Sequence, residues 1–230
     1  MPALSLRLSA IADFVKDKAA VCDVGTDHGY LAIHLIKSSK ACRVLATDIN
    51  QKPLLNAQKN IEKSGVLGIE LRLCDGLLGV KRGEADTFVI AGMGGEVIAG
   101  IIEKGANITQ NDDTTLILQP TTSPDFLRRF LCENGYEILR EKAVFENGKL
   151  YSVMLVKFTG KKADFSEEYY YIGELKPNDE ISLKYIKKQL NRCLNCVEKL
   201  ENIPQKREEY LHYKSAVCGI NKILNSDGEK

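Results

Sequence analysis

The chain has 230 residues, 44% of them hydrophobic and 27% charged, with a net charge of +1. That length holds one substantial core plus an appendage, and the composition excludes a disordered or collagen-like chain. No apolar run approaches the roughly 18 residues of a membrane span, and the opening MPALSLRLSAIADFV lacks a long apolar stretch with a small-residue cleavage site, so a cytoplasmic protein without membrane contact is expected.

Seven scattered cysteines, an odd number, do not form the framework of a secreted disulfide scaffold. Charge is spread evenly: residues 161–230 carry 13 Lys+Arg against 12 Asp+Glu, which leaves 19 against 19 for residues 1–160. A nucleic-acid partner would therefore be held by local basic patches and not by bulk charge.

From residue 20 to residue 157, short β-branched runs alternate with amphipathic stretches, the pattern of a parallel, doubly wound α/β sheet. Strands are predicted at 20–24, 43–48, 69–74, 87–92 and 115–119, with helices near 30–37, 51–64, 95–104 and 124–134. Ser123 is placed to cap the last helix, Pro124 suits its first turn, and Asn134-Gly135 ends it. YEILREKAVF and KLYSVMLVKF follow, separated by Glu146-Asn147-Gly148, a strong hairpin signal. Five parallel strands finishing in an antiparallel hairpin suit the Rossmann-like sheet of class I S-adenosylmethionine (AdoMet) methyltransferases better than an all-parallel dinucleotide-binding sheet.

The segment 160–180, with tyrosines at 169–171, reads as a linker between two units. Beyond it, Leu183, Ile186, Leu190, Cys193, Val197 and Leu200 form one coiled-coil seam, and Tyr210, Tyr213, Val217, Ile220 and Leu224 form another. Pro204 interrupts them, which predicts an antiparallel helical hairpin. The expected division is a methyltransferase unit at 1–160 and a coiled-coil hairpin at 161–230.

The stretch VCDVGTDHGYL at 21–31 raises the question of chemistry. A dinucleotide turn needs G-x-G-x-x-G so that backbone can approach a pyrophosphate, but here Asp27 stands where the second glycine belongs. A carboxylate there repels pyrophosphate, whereas AdoMet carries a sulfonium and an ammonium that Asp23 and Asp27 would welcome. Asp48 closes the second strand, where an acid can accept ribose hydroxyls, and Cys74-Asp75-Gly76 closes the third, where Asp75 can accept an adenine amino group. AGMGG at 91–95 ends the fourth strand without the Asn/Asp-Pro-Pro-aromatic tetrapeptide common in enzymes that methylate exocyclic amines. A ring nitrogen has an in-plane lone pair and requires positioning alone, and the three glycines would leave room for a flat base.

Cys193, Cys196, His212 and Cys218 superficially resemble a zinc pattern, but Cys193 belongs to an apolar seam and His212 and Cys218 diverge by about 240° on one helix, so no metal is expected.

With LSLRL, DVGTDHGYL, ATDIN, CDGL, AGMGG and LILQP in this order, the chain resembles the bacterial tRNA (adenine22-N1)-methyltransferases over roughly residues 4–157 and, in kind, through the helical C-terminus. One local departure is Ala32, where such proteins often carry proline. The resemblance implies a cytoplasmic enzyme that uses AdoMet to methylate N1 of adenine 22 in the D-arm region of tRNA. It implies cofactor binding by Asp23, Gly25, Asp48, Ile49, Asp75, Gly76, Ala91, Gly92, Met93 and Gly94. Asp27, His28 and Tyr30 are the candidate catalytic residues, with Asp27 or His28 placed to meet the charge that develops on the base. Lys184, Lys188 and Arg192, spaced along one helix face, and Arg7 are candidate tRNA contacts. A monomer with tRNA as its partner is the expectation. A small-molecule methyltransferase and a non-catalytic RNA-binding protein stay open at this point.

Overall fold

The computed structural model describes residues 4–226, so the outermost residues of both expected units lie outside the described residues. In chain order the elements are α1 (Leu6–Phe14), β1 (Ala19–Val24), α2 (Tyr30–Lys37), β2 (Ala41–Asp48), α3 (Gln51–Ser64), β3 (Ile69–Leu73), β4 (Thr87–Gly94) and α4 (Gly95–Lys104). There follow α5 (Ala106–Thr109), β5 (Thr115–Thr122), α6 (Pro124–Glu133), β6 (Tyr136–Glu146), β7 (Lys149–Phe158), α7 (Glu167–Ile172), α8 (Glu180–Leu200) and α9 (Arg207–Ser226).

The seven strands form one sheet in the order β3-β2-β1-β4-β5-β7-β6. β1 to β5 pair in parallel, and β7 runs antiparallel to both β5 and β6. β1 is buried along its whole length, as a central parallel strand covered on both faces must be. One face packs Phe88, Ile90, Leu116 and Leu118 under Ile98, Ile102, Leu127 and Leu131 of α4 and α6. The other packs Val21, Val44, Val89 and Ile117 under Ile11 and Phe14 of α1 and Leu31 and Leu35 of α2. Asn147 (φ +50°) and Gly148 (φ +74°) supply the two left-handed residues that a tight hairpin turn between β6 and β7 needs.

Three local expectations are corrected. Ser123 does not cap α6 with its side chain: it adopts the left-handed conformation (φ +49°, ψ +47°), so its hydroxyl does not reach the helix N–H groups. Only a weak contact to Glu96 Oε1 at 3.5 Å is left to that hydroxyl. The 160–180 segment contains α7, whose Tyr170, Tyr171 and Ile172 are buried. The seams of α8 and α9 do meet, but with Ala143 and Leu150 of the β6–β7 hairpin in the same core, so the helices also lie on the sheet edge.

Arg128 of α6 joins the two layers. Its side chain and that of Glu141 on β6 are both fully buried and paired. Nη1 donates to the carbonyls of Tyr170 and Tyr171 at 2.9 and 3.0 Å, and Nη2 reaches Ser152 Oγ and Tyr185 Oη, both at 3.3 Å. Removing one partner of such a pair leaves a buried charge uncompensated, which costs about 3–5 kcal/mol. Glu141→Leu should therefore lower unfolding free energy by about that amount, and the double variant Arg128→Met/Glu141→Leu should recover much of it. Denaturant unfolding monitored by circular dichroism measures both.

Candidate active site

β1 ends at Val24 and the chain turns at Gly25 (φ +81°), where the N–H groups of Gly25 and Thr26 both donate to the Thr47 carbonyl on β2 at 2.8 and 2.9 Å. A Cβ at Gly25 would overlap Cε of Met93, so Met93 leans directly on this turn. Gly29 (φ +67°) starts α2, and a Cβ there would stand 3.2 Å from that of Ala57 on α3. Between these glycines, His28 Nε2 lies 3.2 Å from Asp27 Oδ2, and the imidazole stacks on Tyr30 with ring centroids 5.3 Å apart and planes 21° apart. Asn60 of α3 fixes the loop by donating from Nδ2 to the His28 carbonyl at 2.9 Å.

The two acids of the turn differ sharply. Asp27 is 74% exposed. Asp23 is buried, and burial pushes its carboxyl up to about 6, with a lesser rise from Asp48 and a counteracting hydrogen bond from Thr26. No Lys, Arg or His pairs with Asp23 among the described residues. A buried carboxylate without a counter-charge is costly unless a ligand completes it, and a cationic, hydrogen-bonding ligand fits it.

Asp23, Gly25, Asp27, His28, Tyr30, Ala91 and Gly92 line one cleft of about 310 Å³ at the C-terminal ends of β1 and β4, together with Arg7 and Leu8 of α1. This is the crevice in which open α/β sheets bind ligands. A recess of about 320 Å³ at the β2–β3 edge is lined by Arg43, Arg72 and Glu84, but Arg72 is already held by Glu70 and Glu84 and Arg43 by the carbonyls of Gly83 and Glu84.

The remaining predicted cofactor residues are at neighbouring strand ends. Asp48 accepts the Asn50 N–H at 2.7 Å, Ile49 is exposed, and Asp75 stands 3.6 Å from Lys104 Nζ. Gly76 (φ +56°) packs against Ile101. The glycines of AGMGG divide their work in a way that the sequence alone did not separate. A Cβ on Gly95 would overlap the Ser123 carbonyl, and one on Gly94 would lie 3.0 Å from Thr122 Oγ1, so both serve close packing against the end of β5. Only Gly92 borders the cleft.

Of the predicted tRNA contacts, Arg7 is in the cleft. Lys184 pairs with Glu180, and Lys188 Nζ reaches the Leu150 carbonyl at 3.4 Å. Arg192 departs most from its expected role: it forms two hydrogen bonds to Asp125 of α6, at 2.8 and 3.3 Å, and lies over the Tyr171 ring. Sequence reading missed Asn60 and the fully buried Gln119, whose Oε1 accepts from both Arg7 Nη1 (2.8 Å) and the Gly92 N–H (3.2 Å). The Gln119-Pro120 pair inside LILQP, an amide at the end of a buried strand, was the one signal for it. His212 pairs with Glu167 at 3.2 Å, and no group of three or more His, Cys, Asp or Glu among the described residues is arranged to hold a metal. No helix among them is long and apolar enough to cross a membrane.

A family model described as "Methyltransferase domain" matches residues 4–154. The tRNA (adenine(22)-N(1))-methyltransferase of Bacillus subtilis is 36% identical over 163 residues, which cover 70% of this chain and 68% of that protein. The crystal structure of the B. subtilis m1A22 tRNA methyltransferase superposes with a TM-score of 0.84 at 28% identity, covering 96% of this chain and 99% of that one. A Streptococcus pneumoniae protein described as a putative tRNA (m1A22) methyltransferase, solved in complex with S-adenosyl-L-methionine, superposes with a TM-score of 0.79 at 31% identity, covering 96% and 100%. An acid-lined cleft at the ends of β1 and β4, a parallel sheet closed by an antiparallel hairpin, and similarity of this extent lead to one assignment: the chain belongs to the tRNA (adenine(22)-N(1))-methyltransferase family.

Proposed function

We propose that the chain methylates N1 of adenine 22 in the D-arm region of tRNA, with AdoMet as methyl donor. The observation that carries this reading is the buried Asp23 carboxylate, without a protein cation, opening on the same cleft as Asp27, His28 and Tyr30. When bound, AdoMet supplies a methyl group on a positively charged sulfur, already activated for displacement. Asp23 would hold its ammonium, Asp48 its ribose hydroxyls and Asp75 its adenine amino group. Gly25, Ile49, Gly76, Ala91, Gly92, Met93 and Gly94 would form the surrounding walls.

What the protein adds to an already activated methyl group is alignment, because bringing two partners into line supplies much of the acceleration in such a displacement. Tyr30 and the imidazole of His28 form a flat stack at the mouth of the cleft that an adenine can extend. Methylated N1 leaves the base cationic. Asp27 engages Nε2 of His28 and leaves Nδ1 to accept the proton released from the base's amino group. In this reading residues 1–160 are the catalytic unit and residues 161–230 dock tRNA, in a cytoplasmic monomer. Lys184 and Lys188 are the docking candidates, since an exposed ion pair such as Lys184–Glu180 is weak enough to yield to phosphate. Arg192 is set aside because its partner Asp125 belongs to the fold.

Transfer of tritiated methyl from AdoMet to unmodified tRNA, followed by nucleoside analysis, tests the reading; label in any nucleoside other than N1-methyladenine refutes it. His28→Ala and Asp27→Asn should each lower turnover by about 10²–10⁴-fold, with AdoMet affinity within about twofold of wild type.

Asp23 gives a pH signature. Its folded-state value near 6 lies above the ordinary carboxylate range, so the folded chain binds more protons than the unfolded one between about pH 4 and 6. Stability without ligand should fall as pH rises through that window, whereas AdoMet affinity should fall as pH drops below about 6, by up to about tenfold per unit. Calorimetric titration should show this slope persisting in His28→Asn and absent in Asp23→Asn.

Charge reversal at Lys184 and Lys188 should weaken tRNA binding and reduce its salt slope by about one for each phosphate that is no longer neutralised, with AdoMet affinity unchanged. Filter binding across a salt series would expose the docking idea as wrong if the slope did not move.

A further inference from the structure

We propose that Lys52, Lys59 and Lys63 of α3 form a docking stripe for the tRNA backbone on the flank of the Gly25–Tyr30 turn. The inference rests on the tRNA methyltransferase reading and answers a difficulty in it. The target adenine must approach a turn on which Asp27 presents a carboxylate that is 74% exposed. Arg7, the one Lys or Arg among the residues lining the cleft, already has Glu146 beside it at 3.4 Å. Phosphates on either side of the target base therefore need cations outside the cleft and close to it, and α3 holds them.

Lys52, Asn56, Lys59 and Lys63 follow the spacing i, i+4, i+7, i+11, which keeps them within about 60° of arc along about 17 Å of helix. The three lysines are exposed, and none has a hydrogen-bond or ion-pair partner among the described residues. α2 and α3 together carry Lys37, Lys52, Lys59 and Lys63 against a single acid, Glu62, whose Oε1 accepts from Gln58 at 3.0 Å. In a chain of net charge +1 this is a local excess, the kind of patch through which a nearly neutral protein holds nucleic acid.

Two contacts tie this helix to the turn. Asn60, three residues before Lys63 and at the border of the stripe, donates to the His28 carbonyl at 2.9 Å. Ala57 packs on Gly29 so closely that a Cβ there would stand 3.2 Å from its own. A backbone seated on the stripe is thereby registered against His28. One strand of a duplex presents a phosphate about every 3.4 Å along its axis, so about 17 Å of lysines meets several in succession. An anionic lipid surface offers the same charge, but Leu55 is the one large apolar residue of α3 that is exposed. The helix thus lacks the apolar face with which a basic helix enters a membrane interface.

Retention of unmodified tRNA on filters by the full chain, across a salt series, tests the stripe. In Lys52→Gln/Lys59→Gln/Lys63→Gln the slope of log affinity against log salt should shrink by about two to three, and affinity at about 0.1 M salt should drop by about a hundredfold. Lys52→Arg/Lys59→Arg/Lys63→Arg should keep the wild-type slope. Lys16→Gln/Lys18→Gln/Lys81→Gln removes the same charge from the loops that lead into β1 and β4 and should leave the slope within about 0.5 of wild type. Because a slope is read within each variant, a partly unfolded preparation does not alter it. An unchanged slope in the α3 glutamine variant overturns the stripe, as does an equal shift in the loop variant. An unchanged slope accompanied by lost retention on phosphatidylserine vesicles overturns it in favour of a lipid surface. Wild type that retains no tRNA at low salt overturns the tRNA reading itself, a result separate from these.

Discussion

The guanidinium of Arg128 is cut off from water, and the arrangement of five elements follows from how that charge is accommodated. Burial opposes the charged state, yet Glu141 and the Tyr185 hydroxyl reverse the balance, so that the arginine is held above its ordinary range. Glu141 alone does not complete the hydrogen bonds of the guanidinium. Two carbonyls of α7, Ser152 of β7 and Tyr185 of α8 do the rest. A buried ion pair adds little net stability compared with a well-packed apolar core, but it strongly penalises arrangements in which a partner is missing. The chain must bring α7 to this point, and it leaves at Gly173 in a conformation with φ +61°. Any Cβ there would overlap the Glu141 carboxylate, so the ion pair also dictates a glycine.

The same junction sets the wall of the cleft opposite the acidic turn. α6 is anchored through Arg128 and, at its first turn, through Asp125 bound to Arg192 of α8. Immediately before that turn, Ser123 takes its left-handed conformation and presses its carbonyl on Gly95. Gly95 begins α4 directly after the strand end that carries Ala91 and Gly92. A continuous run of packed residues therefore leads from the helical layer to the cleft. Arg192 is a structural tie in that run, which is why a charge reversal there would disturb the fold together with any docking.

Most of the fold was legible because its signals are local. β-branched runs, amphipathic periods and Asn147-Gly148 each specify their element within a few residues, whereas the strand order β3-β2-β1-β4-β5-β7-β6 depends on pairings between strands far apart in the chain. The turn from Gly25 to Tyr30 was legible for the same reason, since an acid in place of a glycine is visible in the chain itself. What could not be read depends on partners far away. Arg128 lies in a stretch that the sequence marks only as a helix, and its partners are 13 residues on at Glu141 and 42 on at Tyr170. Arg192 reads in the sequence as a candidate tRNA contact because Asp125, its partner, is 67 residues earlier. Gln119 and Asn60 carry no motif and are informative only once Arg7, Gly92 and His28 are beside them. Tyr169 to Tyr171 gave no period, because a helix of six residues is too short to show one.

Two carboxylates four residues apart can do different work because their surroundings separate them. Asp23, buried and near 6, is only partly ionised at mildly acid pH and is fully at ease as an anion when a cation faces it. It is suited to binding and poorly suited to exchanging protons with water. Asp27 is open to solvent and in contact with His28, so it is suited to orienting an imidazole and poorly suited to holding a ligand against competition from water. In the proposed reading the turn places a binding acid inside and a proton-handling pair outside, with Gly25 (φ +81°) between them. Arg7 is the one Lys or Arg among the residues lining the same cleft. The pyrophosphate of a dinucleotide would meet a carboxylate at both levels of this turn, whereas a cationic ligand meets the opposite charge.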